Sequence, residues 1–406
     1  MRGAHLYNRS LPQRSRIPPI IFTDIGMPAT PTITWMHEDG SPAATWQSPS
    51  GAPAPKRMRV ADDRMSADAA YRLICEGTAL LWQGDYHNAR ALIDALGRRI
   101  QKKRRAPDET VPAIERFNAH RQAQSHRAHI MNAVLVPIDA TWQVALRRAP
   151  DTRAALSDWH GPGDGPAIMS LRAVQGVLSA AEWARKGIPI AALNATIHPR
   201  FGVYSPLRGE YIELVMRAPL PTGDTAFDLG TGTGVLAIAL ARRGIKHIRA
   251  TEIDPRAIAC AKENIARIVP DAEIRLIASG DLFPPGRASL IVCNPPWLPG
   301  RPTTPIEGAL YDPDSQMLNA FLRGLADHLT ADGEGWLILS DLAEHLGLRA
   351  PGAVAAAIDS AGLAVVDRLT VRPRHGKATD ATDPLAFARK LEVTSLWRIS
   401  TKRSGG

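Results

Sequence analysis

The most chemically specific stretch of the sequence is IVCNPPW, in which an apolar run leads into Asn294, Pro295, Pro296 and Trp297. Proline fixes φ and lacks a backbone N–H, so this corner continues neither a helix nor a central strand. The Asn294 side-chain oxygen and the Pro295 carbonyl can therefore serve as two stiffly held hydrogen-bond acceptors. Such a pair can orient an NH2 group, and Trp297 offers a face for a planar group to stack on, although on its own NPPW can equally be a strand-ending turn with a core tryptophan.

A second candidate site is the glycine-rich segment FDLGTGTGVL, which contains Asp228 and glycines 230, 232 and 234. A glycine-rich turn between a strand and a helix lets a ligand approach the backbone and the helix N-terminus. The spacing does not fit GxGxxG, because Val235 stands where the third glycine would be, and the GK[ST] of a P-loop is absent. Asp228 would repel a pyrophosphate, so the segment predicts a ligand that carries positive charge or an ammonium group.

Two further acids stand at the ends of the following β runs. Glu252 lies 22 residues after Gly230 and can accept hydrogen bonds from two ribose hydroxyls. Asp254 reads as a helix N-cap, because a proline follows it at the first helical position. Asp281, in SGDLFPPG, could accept a hydrogen bond from an adenine amino group, although on its own it would read as a turn aspartate.

In this order and spacing, the segments resemble the class I S-adenosylmethionine-dependent methyltransferases over roughly residues 200–400. More narrowly they resemble the branch with an [N/D]PP[Y/F/W] motif, which holds HemK-like glutamine N5-methyltransferases and base-amino methyltransferases of nucleic acids. The resemblance implies S-adenosylmethionine as cofactor and methyl transfer to a planar amino or amide nitrogen, with Asn294, Pro295, Pro296 and Trp297 as catalytic residues. The cofactor-binding residues that it implies are Asp228, Gly230, Thr231, Gly232, Gly234, Glu252, Asp281, Leu282 and Asn294.

The elements that must position these residues follow from an alternation that begins near residue 201. Short β runs such as TAFDLG, HIRATE and SLIVCN are each followed by a helical stretch. This alternation predicts a parallel sheet covered by helices on both faces. Two β-rich runs at the end, LAVVDRLTV and KLEVTSLWRI, predict a closing antiparallel hairpin. With the resemblance, residues 201–406 are expected to be a Rossmann-like α/β catalytic domain with a seven-stranded, mostly parallel sheet.

The first half of the chain has a different texture. Residues 1–65 are rich in Pro, Ser, Thr and Gly, which predicts a disordered leader. Residues 66–200 contain apolar residues at helical spacing and predict a helical N-terminal domain that docks the substrate. Its expected core anchors are the tryptophans Trp82, Trp142 and Trp183. Its histidines at 120, 126 and 129 are expected on a solvated helix face, because their spacing fits no common zinc motif.

Charge is distributed unevenly along the chain. Residues 1–200 hold 26 basic and 17 acidic side chains, whereas residues 201–406 hold 23 of each, so the net charge of +9 lies in the first half. Part of it is the run RRIQKKRRAP at residues 98–107. Such a run can neutralise nucleic-acid phosphates, or it can simply be a solvated helix end.

Three interpretations of the function stay open, two of which differ in the acceptor. A base amino group in RNA, rather than DNA, is the leading one, supported by the basic first half, a pI of about 9.7 and a C-terminal loop with Arg372, Arg374, His375 and Lys377. A protein glutamine is the alternative, supported by a helical domain ahead of a single catalytic domain. The segment SPLRGEY departs from the RPxTE-like segment of release-factor methyltransferases. The remote third reading is a non-catalytic cofactor-binding scaffold. Residues 302–316 are expected to line the acceptor site.

Bulk features set the remaining expectations. Three cysteines without metal-ligand spacing predict a reduced, cytoplasmic protein with no disulfide framework and no metal site. No apolar run approaches the length of a membrane span and no signal peptide is evident at the N-terminus, so no membrane partner is expected. A monomer is expected.

Overall fold

A computed structural model of the chain describes residues 31–34, 43–102, 110–302, 305–374, 380 and 383–402. The strands in these residues are β1 (Thr32–Thr34), β2 (Ala43–Gln47), β3 (Met58–Ala61), β4 (Ala79–Trp82), β5 (Val134–Ile138), β6 (Ala167–Ser170), β7 (Ile188–Ile190), β8 (Ala195–Ile197), β9 (Thr225–Leu229), β10 (His247–Glu252), β11 (Glu273–Ala278), β12 (Ala288–Cys293), β13 (Leu329–Ser340), β14 (Leu363–Val371) and β15 (Thr394–Thr401). The helices are α1 (Ala67–Cys75), α2 (Tyr86–Lys102), α3 (Ala113–Asn132), α4 (Arg153–His160), α5 (Leu171–Lys186), α6 (Glu210–Arg217), α7 (Val235–Arg242), α8 (Pro255–Ile268), α9 (Gln316–His328), α10 (Leu342–His345), α11 (Ala353–Ser360) and α12 (Ala386–Arg389).

The C-terminal half contains the predicted seven-stranded sheet, in the order β11-β10-β9-β12-β13-β15-β14. The first five strands run parallel, and β15 lies antiparallel between β13 and β14. Both the parallel sheet and the closing hairpin expected from the sequence are therefore confirmed. This sheet brings the chain into the α/β class.

Helices cover both faces of this sheet. Successive residues of a strand therefore point alternately into the hydrophobic cores on the two faces. Ala226 packs in a cluster with residues of α6, α7 and α8, whereas its neighbour Phe227 packs with residues of α9 and α11. Strand β12 is buried at all six positions, which is why its sequence is continuously apolar or small rather than alternating. Burial on both faces fixes the register of the central strands.

The N-terminal half departs from the expected helical domain. Strands β1 to β6 form a six-stranded mixed sheet in the order β1-β2-β6-β5-β4-β3. Three of them, β4, β5 and β6, are apolar four- or five-residue runs next to α1, α3 and α5, and the sequence pattern wrongly places these runs in helices. Runs this short show no periodicity that separates a buried strand from a helix turn, so only long-range pairing identifies them as strands.

The expected disordered leader is also wrong for the residues that the structure describes. Strand β2 pairs in parallel with β6, and β3 pairs in parallel with β4. Trp46 is buried, and its indole N–H donates to the carbonyl of Ala52 at 2.8 Å. A leader rich in small residues thus supplies three strands, β1, β2 and β3, to the sheet, and β2 pairs with a strand more than a hundred residues downstream. Residues 1–30 and 35–42 lie outside the described residues.

Two of the three predicted core tryptophans are buried. Trp82 and Trp142 are 1% and 3% exposed, but Trp183 is 51% exposed. The reason lies in helix geometry, because α5 buries Leu171, Val174 and Val177, and a residue nine positions after Val174 lies on the opposite side of the helix. Trp183 is therefore a surface residue and not a core anchor.

The two halves contact each other through helix α3. Phe117 on α3 is buried in a cluster that contains Leu342, Leu346, Leu385 and Ala388 of the C-terminal half. The β7–β8 ribbon, which precedes the predicted boundary at residue 201, also packs into the core of the seven-stranded unit. Among the described residues no helix is both long and apolar enough to cross a membrane.

Candidate active site at the carboxyl edge of the seven-stranded sheet

The strand register places the candidate motifs at one edge of the sheet. Leu229, the last residue of β9, pairs with Thr251 on one side and with Cys293 on the other. The glycine loop and the proline corner therefore start from adjacent strands at the same level. Glu252 pairs with the last residue of β11, which precedes the turn that contains Asp281. Ligands of open α/β sheets bind at this carboxyl edge.

The glycine loop is held open by backbone conformations that other residues rarely adopt. Gly230, Gly232 and Gly234 have φ values of 71°, 57° and 80°, and no atom lies within 4 Å of where a Cβ of Gly232 would stand. The amide N–H groups of Gly230 and Thr231 both donate to the Thr251 carbonyl at 3.0 Å. The loop thus leaves free space at Gly232, just before the N-terminus of α7.

Asp228 is the buried anchor of this loop. One carboxylate oxygen, Oδ2, accepts from Thr231 Oγ1 at 2.6 Å and from the Ala237 N–H at 3.0 Å. The other oxygen, Oδ1, is buried and has no hydrogen-bond partner within the described residues. Burial raises the pKa of Asp228 to about 6, against two hydrogen bonds that lower it.

This arrangement fits a cofactor with a cationic group. An orphaned buried carboxylate oxygen is costly, so the site is built for a donor that the protein itself does not supply. An ammonium group at Oδ1 would satisfy the oxygen and stabilise the charged carboxylate. Asp228, the open glycine loop and the acids on the neighbouring strands together match the donor and acceptor needs of S-adenosylmethionine.

Glu252 braces the loop from the next strand. Its Oε2 accepts from the Gly232 N–H at 3.0 Å, and its Oε1 accepts from the N–H groups of Ile253 and Asp254 at 2.8 and 3.1 Å. The two bonds at Oε1 use its lone pairs, so only Oε2 has acceptor capacity left. As the structure stands, Glu252 can take one further hydroxyl rather than the two expected from the sequence.

The turn after β11 contributes the other predicted contacts. The carboxylate of Asp281 is exposed and makes no hydrogen bond within the described residues, while the Asp281 N–H donates to Ser279 Oγ at 2.9 Å. The Leu282 carbonyl accepts from Thr251 Oγ1 at 2.8 Å, which ties this turn to β10. The Asp281 carboxylate is thus available at the edge where the glycine loop opens.

At the proline corner, Trp297 holds the amide of Asn294. The indole N–H of Trp297 donates to Asn294 Oδ1 at 2.8 Å. An indole N–H can only donate, so this bond fixes which end of the amide faces the ring. Oδ1 keeps a second lone pair, and the Asn294 side chain is half-buried while Pro295 is buried. The amide oxygen therefore has a defined direction before any acceptor arrives.

Sequence reasoning missed the residue that covers Trp297. The guanidinium of Arg208 lies 4.6 Å from the centre of the Trp297 ring, so the expected open stacking face is occupied on that side. Arg208 Nη1 donates to the fully buried Glu392 at 2.8 Å, and Arg208 Nε donates to Glu210 at 2.9 Å. The sequence LRGE shows that Arg208 and Glu210 can form an ion pair. It does not show that Arg208 contacts Trp297, which lies 89 positions later in the chain.

The segment after the corner folds back toward the glycine loop. Leu298 forms an isolated bridge with Tyr311, and buried Asp312 caps α9 by accepting from the N–H groups of Met317 and Leu318. A Cβ at Gly230 would stand 2.8 Å from Met317 Cε, so α9 begins against the glycine loop. The predicted acceptor segment, 302–316, thus lies between the corner and the cofactor loop, and its residues 303–304 are outside the described residues.

Helix α3 of the N-terminal half reaches the same segment through Arg121. The Arg121 guanidinium lies 4.3 Å from the Tyr311 ring centre, and its Nη2 donates to the Arg301 carbonyl at 2.9 Å. It also lies 3.7 Å from a carboxylate oxygen of Glu307. One side chain from the N-terminal half therefore holds three points of the segment that follows the proline corner.

Other predicted features lie away from this edge. Arg374 is 3.7 Å from Glu213, whereas His375 and Lys377 of the same loop fall outside the described residues. The basic run begins at the end of α2, and its residues from Lys103 onward are likewise not described.

Within the described residues, no group of three or more His, Cys, Asp or Glu side chains could hold a metal ion.

The sequence comparisons agree with the motifs. A family model for "Ribosomal protein L11 methyltransferase (PrmA)" matches residues 212–295. A release factor glutamine methyltransferase of Cereibacter sphaeroides is 33% identical over 192 residues, which are 44% of this chain and 63% of the relative. A tRNA1(Val) (adenine(37)-N6)-methyltransferase of Bacteroides thetaiotaomicron is 33% identical over 126 residues, 29% of this chain and 53% of the relative.

A third relative is a ribosomal protein L11 methyltransferase of Hydrogenovibrio crunogenus, 32% identical over 112 residues, 28% of this chain and 36% of that protein. The chain thus spans less than two thirds of each of these relatives. Their names describe methyltransferases that act on different acceptors. The resemblance to class I S-adenosylmethionine-dependent methyltransferases that the motifs predict is confirmed for the C-terminal part of the chain.

Proposed function

We propose that this protein is an S-adenosylmethionine-dependent methyltransferase that acts on a planar amino or amide nitrogen. The observation that carries the proposal is the adjacency of two sites at one sheet edge. One is the glycine loop with its orphaned Asp228 carboxylate oxygen, and the other is the corner where Trp297 directs the Asn294 amide oxygen. A scaffold that only binds the cofactor would not need the second site.

In this proposal the cofactor is held by the glycine loop, Asp228, Glu252 and the turn with Asp281. When bound, S-adenosylmethionine supplies an electrophilic methyl group on a sulfonium centre. The lone pair of an amide or base amino nitrogen is delocalised, so that nitrogen must pyramidalise as it attacks. Asn294 Oδ1 and the Pro295 carbonyl accept its two N–H groups and stabilise the positive charge that develops there. The stiff prolines reduce the reorganisation that this requires.

For the acceptor we propose a base amino group in RNA. The support is the basic first half of the chain and the similarity to a tRNA adenine-N6 methyltransferase. A glutamine side chain of a protein is the second candidate, because a release factor glutamine methyltransferase matches the largest share of this chain among the three relatives above. We further propose a monomer in the cytoplasm without a metal, in keeping with three free cysteines, two of them buried.

The test is a tritium-transfer assay with S-[methyl-³H]adenosylmethionine, purified protein, and total RNA and total protein from a strain that lacks the gene. Half of each reaction is treated with RNase and half with protease. The proposal expects label that RNase removes. Label that only protease removes would replace the RNA acceptor with the glutamine candidate. Absence of label in every arm, with cofactor binding intact, would refute methyl transfer to either macromolecule.

A further inference from the structure

A groove outside the site described above runs along the exposed side of helix α5. Its volume is about 490 Å3, within the roughly 300–1,000 Å3 that ligand pockets occupy. One wall is α5 from Arg172 to Trp183, and the other is the segment 199–207, which includes Phe201 and Leu207. The groove therefore lies between the N-terminal sheet unit and the start of the seven-stranded unit.

The α5 wall is a single face of the helix. The lining residues stand at positions 172, 175, 176, 179, 180 and 183, a spacing of three or four that keeps them in one row. On a core-facing helix such a row would be apolar, but this row contains an arginine, a glutamine and a serine and is opposite the buried face. From Arg172 to Trp183 the row is about 17 Å long, enough for a few stacked nucleotides.

Aromatic and cationic side chains define what the groove can bind. Trp183 is 51% exposed, and its indole N–H has no partner among the described residues. Arg172 is exposed and forms no ion pair or hydrogen bond within the described residues. Arg200, in the opposite wall, forms an ion pair with Glu263, which does not line the groove. The lining contains two arginines and neither aspartate nor glutamate. An exposed indole at one end of the row and an uncompensated cation at the other suit a base and a phosphate of one short strand.

The groove also points to the candidate active site. Leu207 lines the groove, and the next residue, Arg208, covers the ring of Trp297 at 4.6 Å. Beside Gly202 stands the guanidinium of Arg256, in the first turn of the helix that follows Glu252. The groove wall is therefore continuous along the chain with the residue that covers Trp297 at the proline corner.

We propose that this groove binds a single-stranded segment of the RNA substrate, with a base stacked on Trp183 and a phosphate beside Arg172. The proposal rests on the RNA acceptor of the proposed function and names the part of the surface that would recognise it. A single strand fits better than a duplex, because stacking on an indole needs an unpaired, accessible base.

The experiment measures binding of a short fluorescein-labelled single-stranded oligoribonucleotide of mixed sequence by fluorescence anisotropy, using the full chain. Trp183→Ala is expected to weaken binding at least about tenfold, whereas Trp183→Phe retains most of the affinity. Arg172→Gln is expected to lower the slope of log K against log salt by about 0.7, the value for one phosphate contact on a single strand.

The matched control is Arg185→Gln, which removes an exposed cation from the same helix but not from the groove. It is expected to change neither affinity nor salt slope appreciably. Affinity for S-adenosylmethionine, measured for every variant by calorimetry, is expected to match that of the wild-type protein and shows that each variant folds.

Three results would contradict the proposed role of the groove. They are wild-type affinity for the oligoribonucleotide in Trp183→Ala and Arg172→Gln, a loss of affinity in Arg185→Gln equal to theirs, or equally tight binding of an RNA duplex. A glutamine-containing peptide that competes with the RNA and loses affinity in Trp183→Ala would reassign the groove to a protein partner. If the variants lose RNA binding while tritium labels only protein, the groove is supported and the RNA acceptor is refuted. If tritium labels RNA equally well in all variants and binding is unchanged, the acceptor stands and the groove is refuted.

Discussion

Among single residues, Asp228 has the environment that most clearly calls for a ligand. Its carboxylate is fully buried with one oxygen that has no partner within the described residues, and burial raises its pKa to about 6. The neutral form therefore prevails below pH 6 in the free protein. A cationic group of the cofactor is bound more tightly by the ionised carboxylate. Below about pH 6, binding of the cofactor therefore requires Asp228 to release its proton.

The first prediction concerns cofactor affinity against pH. Affinity for S-adenosylmethionine is expected to rise as pH increases through about 6, because deprotonation of Asp228 then no longer opposes binding. Asp228→Asn should bind weakly and without this pH dependence, since the amide keeps the acceptor for Thr231 but carries no charge. Calorimetric titrations across this pH range test it, and an affinity that is flat in the wild-type protein would contradict the account.

The stability of the protein gives an independent check on Asp228. Because the pKa is raised in the folded state above its usual 3.8, the unfolded chain releases this proton first as pH rises. The free energy of unfolding should therefore fall between about pH 4 and pH 6, by roughly 3 kcal/mol from this group. Asp228→Asn lacks the carboxyl group, so denaturant titrations of this variant should show no such fall in the free energy of unfolding. An unchanged pH profile in the variant would exclude Asp228 as its source.

The second prediction concerns Trp297, which the structure places as a positioning residue for Asn294. Trp297→Phe keeps a ring under Arg208 but removes the N–H that directs Asn294 Oδ1. The turnover number is expected to fall about twofold to tenfold, the equivalent of one neutral hydrogen bond, with cofactor affinity unchanged. Single-turnover kinetics measure it. Unchanged turnover would show that the indole N–H does not position the amide.

At the scale of elements, helix α3 connects the N-terminal unit to the segment that follows the proline corner. Arg121 stacks on Tyr311 and donates to the Arg301 carbonyl, and Leu298 and Tyr311 also pack against the cluster that contains Phe117 of the same helix. A cation above an aromatic ring contributes about 0.5–2 kcal/mol. The N-terminal unit is thus placed to shape this segment through the polar contacts of Arg121 and the apolar cluster around Phe117.

The third prediction tests this contact with Arg121→Ala. Because the segment 302–316 would lose its hold on α3, kcat/KM for the acceptor is expected to fall about tenfold while cofactor affinity stays the same. Arg127→Ala is the control, since Arg127 lies on the same helix but donates to the Gly97 carbonyl within the N-terminal unit. Equal losses in both variants would indicate that α3 matters only for stability.

Some strands could be predicted from the local sequence and others could not, because only some are bounded by residues that end a strand. Strands β9 and β12 end in glycine or proline motifs, so their bounds follow from local chemistry. Strand β4, by contrast, is four apolar residues that follow helix α1 after three residues. Only its pairing with β3 and β5 makes it a strand, and such pairing is not written in a short window of sequence.

At the scale of the whole molecule, the fold of the C-terminal half was predictable from the sequence and that of the N-terminal half was not. Glycine, acid and proline motifs at fixed spacing specify one sheet edge, so local sequence is enough to place Asp228, Glu252 and Asn294 together. Contacts that join distant segments have no such signal. Arg208 meets Glu392 across 184 residues, and Arg121 meets Arg301 across 180, with no local pattern to announce either.

The most direct test of Asn294 as the residue that holds the acceptor nitrogen compares methyl transfer by the wild-type protein with transfer by Asn294→Ala, using tritiated S-adenosylmethionine and the RNA or protein fraction that the wild-type protein labels. Cofactor affinity of both proteins is measured in parallel. Transfer in Asn294→Ala is expected to fall to background while cofactor affinity stays close to that of the wild-type protein, because the amide holds the acceptor and the glycine loop holds the cofactor. Transfer by Asn294→Ala at the wild-type rate would contradict this role of Asn294.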